Sequence, residues 1–228
     1  MRRAFAGAAV VVLLAGCGGG HPKARPRTDA RALLSAMVLP KAALGPEAAR
    51  FVKVGPSGVL TNERRAASDL DPLVSTASLA KAGRISGYAL EFGLSRSQMS
   101  GAFSRGAGLL EIGTLVELYR DEGSVTRQMR KSLADLRQLV GKPLNLGGTL
   151  ERAQTFPVRG SAGRAIGIRL TVRIAGIRVR ITQVAFRSGQ LAGIAVETRA
   201  DTNDVAAEVT SLAQRLDSQI QRVRTGSA

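Results

Sequence analysis

Two consecutive alternating runs toward the C-terminal end constrain the fold more than any other feature of the chain. Ile166, Ile168, Leu170, Val172 and Ile174 alternate with Gly167, Arg169, Thr171 and Arg173. Beyond Ala175-Gly176, Ile177, Val179 and Ile181 alternate with Arg178, Arg180 and Thr182. A period of two sends successive side chains to opposite faces, so each run is a strand and the short break between them a hairpin turn. Closure on Ala175-Gly176 sets Arg173 opposite Arg178, Thr171 opposite Arg180 and Arg169 opposite Thr182. The phase slips at Gln183, where Val184 and Phe186 take the other face, and a bulge or twist is expected there. Ser188-Gly189 then turns the chain into a further strand, Leu191 to Thr198.

Such a sheet needs an apolar helical stripe to cover it. Val205, Val209, Leu212, Leu216, Ile220 and Val223 recur at helical spacing over about Asn203 to Val223, with Asp201, Thr202, Asn203 and Asp204 as cap candidates. A second helix, capped by Ser124, carries Val125, Met129, Leu133, Leu136 and Val140 on its dry side. Arg127, Arg130, Lys131 and Arg137 line its wet side, and Gly141 and Pro143 end it. Upstream, Leu109 to Tyr119 and the stretch around Tyr88, Leu90 and Phe92 suit strands, with a loop from Gly93 to Gly106 between them. A short helix over Arg31 to Leu39, behind Asp29, stops at Pro40. Residues 41 to 82 read as an irregular lead-in with helical turns at Pro46 to Arg50 and Leu73 to Ala80. Strands followed by a helix occur twice, from Gly87 to Val140 and from Ala165 to Val223; a duplicated half or plain packing economy would produce that order. The fold class expected is α+β: an antiparallel sheet with a C-terminal β-meander packed against two main helices in a two-layer sandwich. Its core must be aliphatic, because aromatics make up 4% of the chain and Trp is absent.

At the other end, Arg2 and Arg3 precede an apolar run, Ala4 to Leu14, that is too short to span a bilayer as a helix. In that context Leu14-Ala15-Gly16-Cys17 resembles the lipobox of the bacterial lipoprotein class. The resemblance implies cleavage before Cys17, a diacylglyceryl group with palmitate-type chains on its sulfur, and a lipid anchor on the extracytoplasmic face of the cell membrane. Two acyl chains hold a protein stably, at ~0.8 kcal/mol per buried CH₂. The organisation expected is residues 1–16 as lipoprotein signal peptide, 17–30 as lipidated Cys and flexible basic linker, and 31–224 as a single α+β domain. Lys23, Arg25 and Arg27 in that linker either add attraction to an anionic leaflet or keep it soluble. Leu39-Pro40-Lys41-Ala42-Ala43-Leu44-Gly45, Asp71-Pro72 and Gly83-Arg84-Ile85-Ser86-Gly87-Tyr88 resemble segments of uncharacterised small lipoproteins of high-GC Gram-positive bacteria. That likeness supplies no catalytic residue.

Loss of residues 1–16 takes Arg2 and Arg3 from a formal charge of +16 and leaves +14. So large a balance attracts anionic partners. Outside the cytoplasm these are anionic lipid, wall polymer or an acidic protein; nucleic acid is not expected, and the basic stripe lacks interleaved aromatics. Arg169, Arg173, Arg178 and Arg180 form the candidate anion-binding face, since like charges facing across strands need solvent, salt or an anion. A solvated face on an Arg-rich protein is the competing reading. Cys17 is the only cysteine and His21, in the Gly-rich tether, the only histidine, so no disulfide, metal site or cofactor is expected. Ser78-Leu79-Ala80-Lys81 matches the S-x-x-K signature of penicillin-binding proteins and serine β-lactamases, but Ser68-Asp69 is followed by Leu70 and no Lys-Thr-Gly occurs. The reading is a non-enzymatic, membrane-anchored binding domain for an anionic or amphipathic envelope component. A lipid carrier or sensor with an apolar pocket is the alternative, and an envelope hydrolase a third.

Overall fold

In a computed structural model, residues 30–105, 108–145, 147–159, 164–201 and 203–226 are described. Cys17, His21, the signal peptide and the linker as far as residue 29 lie outside the described residues, as does the cap candidate Thr202. The chain order is α1 (Ala30–Met37), β1 (Val52–Leu60), α2 (Asn62–Ala67), α3 (Thr76–Lys81), β2 (Arg84–Gly93), α4 (Arg96–Arg105), β3 (Leu109–Tyr119), α5 (Glu122–Gln138), β4 (Thr149–Phe156), β5 (Ala165–Ile174), β6 (Ile177–Ser188), β7 (Leu191–Arg199) and α6 (Ala206–Thr225), with short 3-10 turns at Lys41–Ala43 and Pro46–Arg50. The strands make one sheet in the order β1-β2-β3-β7-β6-β5-β4, antiparallel throughout. Two meanders, β1 to β3 and β4 to β7, thus meet along the β3–β7 pair.

The α+β class and the C-terminal meander hold. Arg173 faces Arg178, Thr171 faces Arg180 and Arg169 faces Thr182, as closure on Ala175-Gly176 requires. Both turn residues are left-handed, Ala175 at φ 49° and Gly176 at φ 84°, the geometry that matches a two-residue turn to strand twist. The bulge expected at Gln183 does not form: β6 pairs with β5 and β7 without a register shift. The strand is central and covered on both sides, so its apolar residues can change parity while the backbone runs on.

That cover corrects the two-layer sandwich. Val209, Leu212, Leu216 and Ile220 of α6 pack with Leu34 and Met37 of α1 against Leu110, Ile112, Val184, Phe186 and Ala195 of the sheet. Leu133 and Leu136 of α5 pack against Leu150, Ile168, Leu170 and Val172, which point from the opposite face. Helices therefore flank the sheet on both sides, with α2 and α3 against β1 and β2 on the α5 side. Leu139 enters the core where Val140 was expected, and Val140 is exposed.

Three further expectations change. The loop from Gly93 to Gly106 contains α4. The irregular lead-in hides β1, an edge strand whose register shifts between Val54 and Gly58, around Pro56; an edge tolerates the missing N–H that a central strand does not. Asp121 rather than Ser124 caps α5, its carboxylate accepting the Ser124 N–H at 2.7 Å. Among the described residues no helix is long and apolar enough to cross a membrane.

Candidate functional site

The four arginines do gather at the β5–β6 hairpin, on the α6 side, but the fold brings partners to them. Glu151, in the register shift of β4, accepts from Arg178 Nε at 2.9 Å through one oxygen and pairs with Arg173 through the other. Against the cost of burial, Arg178 and Arg173 hold the Glu151 carboxyl below its ordinary range. Arg169 pairs with Asp204, just ahead of α6, and its guanidinium lies 5.5 Å over the Phe156 ring. Arg180 donates to the Asn203 carbonyl at 2.9 Å. The two outer arginines share one carboxylate, with side chains 44% (Arg173) and 69% (Arg178) exposed. One positive charge of that pair is left facing solvent, whereas Arg169 is drawn inward.

A groove of about 540 Å³ opens at the other end of the same face. Its wall is Ala30, Leu33, Leu34 and Met37 of α1, with Leu118 and Leu191 as floor and Arg120 and Arg224 at the rim. Gln219 Nε2 donates to the Ala36 carbonyl and Gln221 Nε2 to Ser188 Oγ, each at 2.8 Å, and these bonds tie the end of α6 to α1 and to the β6–β7 turn.

Carboxylates concentrate on the α5 side. Glu117 Oε1 accepts from Arg84 Nε at 2.9 Å and Arg65 Nε at 3.0 Å, and Oε2 accepts from the Tyr119 hydroxyl at 2.9 Å. Burial would raise Glu117, but Arg84 and then Arg65 more than offset it and hold the carboxyl low. Nearby, Glu91 and Glu111 are diagonal neighbours across the β2–β3 pair, each opposite a glycine, and their carboxyls interact. Burial first, and the Glu111 carboxyl second, push Glu91 up to about 8, and burial raises Glu111 as well. Gly55 lies directly on Glu91: a Cβ there would sit 2.0 Å from Oε2. Sequence reasoning missed these residues. The signal was parity, because Glu91, Glu111 and Glu117 all fall on one face of β2 and β3, a face that a two-layer fold leaves wet.

Ser78 has a local task. Its hydroxyl accepts the Ser75 N–H and donates to the Ser75 carbonyl, both at 2.9 Å, in the capping box of α3, while Lys81 stands exposed. Among the described residues no group of three or more His, Cys, Asp or Glu could hold a metal ion.

No family model matches the chain, and no curated protein does. Among solved structures, the extracellular domain of PknH from Mycobacterium tuberculosis is similar with a TM-score of 0.48 and 12% identity, over 82% of this chain and 96% of that one. No functional residue is carried over from a likeness at that level.

Proposed function

We propose that the protein is a membrane-anchored, extracytoplasmic lipoprotein whose domain binds an anionic envelope component without catalysing a reaction or needing a cofactor. Cys17 carries the lipid, and Arg169, Arg173, Arg178 and Arg180 present the charge. The observation that carries the reading is the shared carboxylate: among the described residues Glu151 is the one carboxylate that Arg173 and Arg178 reach, Arg173 also donating to the Gly176 carbonyl at 3.4 Å, so the pair keeps a net positive charge at the exposed end of the hairpin. Anionic lipid head groups, wall polymer and acidic protein all offer that charge, and the +14 balance draws them. Nucleic acid plays no part in this reading.

The test uses the full chain with Cys17→Ser, so that the lipid does not itself hold the protein. Co-sedimentation with phosphatidylglycerol vesicles should fall at least threefold when Arg173→Ser and Arg178→Ser are combined, and added salt should weaken the parent's binding. Binding that ignores both the substitutions and the salt would remove the hairpin from the account.

A further inference from the structure

The groove between α1 and the end of α6 has a different character from the arginine hairpin. Its wall and floor are apolar while its rim is polar, it leaves Leu33 36% exposed, and its 540 Å³ falls within the ~300–1,000 Å³ of small-molecule sites. Two acidic residues at the mouth are already engaged. Asp121 caps α5, and Glu122 pairs with Arg187 at 2.8 Å. Arg120 lies close enough to Asp121 to attract its carboxylate, and Arg120 and Arg224 are the cations at the rim. Arg224 also reaches Ser188 Oγ at 3.4 Å, which holds it over the turn that closes one side.

Position supplies the occupant. The groove wall begins at Ala30, and only residues 18–29, with Lys23, Arg25 and Arg27 among them, separate it from Cys17. The arginine hairpin lies farther off, roughly 33 Å along β6 at ~3.3 Å per residue. An apolar slot at the root of a basic, lipid-bearing tether, rimmed by two guanidiniums, matches an amphiphile with an anionic head. We propose that this groove holds one acyl chain of an anionic phospholipid drawn from the membrane that anchors the protein, with Arg120 and Arg224 at the phosphate. The inference rests on the anchored reading above and deepens it from charge attraction to lipid capture.

The experiment reconstitutes the full lipidated chain into phosphatidylglycerol vesicles doped with phosphatidylglycerol bearing a pyrene-labelled acyl chain. Withdrawal of labelled chains into protein lowers the excimer signal. Wild type should lower it to saturation. Leu33→Asp should reduce the effect about tenfold, while Leu33→Met keeps it; the site is partly exposed, and a melting curve checks that both variants fold. Arg120→Ser with Arg224→Ser should abolish the preference for labelled phosphatidylglycerol over labelled phosphatidylcholine. An equal response from Leu33→Asp and wild type overturns the proposal. So does a response seen only with Cys17→Ser, which would mean that the anchor's own acyl chain fills the groove. Arg173→Ser with Arg178→Ser should leave the pyrene response intact at equal surface density, so failure of the hairpin and failure of the groove are told apart.

Discussion

Ala175 is the one described residue other than glycine with positive φ, at 49°. A Cβ in the left-handed region costs roughly 1–2 kcal/mol, and the hairpin accepts it because β5 and β6 pair along their whole length on either side. Asn is a favoured residue at the first position of this turn type. Ala175→Asn should therefore stabilise the fold by about 1 kcal/mol, a rise of ~2–4 °C in Tm for a domain of this size. A lower Tm would contradict the turn geometry. Glycine has the opposite use inside the sheet: a Cβ on Gly193 would lie 2.2 Å from Phe186 Cζ, and one on Gly167 2.4 Å from Phe156 Cε2. Two of the chain's few aromatic rings thus lie flat on strand glycines across from them, Phe186 beside Gly193 and Phe156 beside Gly167.

Helix α2 is too short to stand alone, and a buried ionic cluster ties it to the sheet. The Arg84 side chain is fully buried and divides its donors among Glu117, Asn62 Oδ1 at 2.7 Å and the Leu60 carbonyl at 3.1 Å. Arg65 of α2 joins the same Glu117 oxygen and also pairs with Asp69 at 2.6 Å. Removing one partner of such a cluster strands a buried charge, which costs about 3–5 kcal/mol. Glu117→Ala should thus lower the denaturant midpoint by that equivalent, and proteolysis should find α2 early. A loss under ~1 kcal/mol would mean that water reaches Arg84.

The molecule as a whole stores its titration in two opposed sets. Burial raises Glu91 to about 8 and Glu197 to about 7, so the folded state holds those protons more tightly than the unfolded chain. Their contribution is complete below the ordinary carboxylate range near 4.5 and is lost as pH rises toward 8. Glu117 and Asp201 are lowered, Glu117 by Arg84 against its burial and Asp201 by its bond to Arg199. Their contribution is present at neutral pH and lost on acidification through the lowered values. Wild-type Tm should accordingly decline between pH 5 and 8. Glu91→Gln, which keeps the shape of the protonated acid, should flatten that decline, and an unchanged slope would place the effect elsewhere.

At this same scale the chain divides into what its own order determined and what only the tertiary structure decided. Strand β3, the β5–β6 register and the apolar stripe of α6 were legible because each rests on local periodicity, a property of neighbours in sequence. Edge strand β1 was not legible, because Gly55, Pro56 and Gly58 break the pattern where the ladder shifts. The face covered by α5, the Glu151 carboxylate between Arg173 and Arg178, and the Glu91–Glu111 pair all depend on which strand lies beside which. So does the groove, whose walls come from α1, the end of β3 and the end of α6. Alternation tells a strand that it has two faces; only the sheet order and the helices packed across it decide which face stays dry, and therefore which charges must find partners.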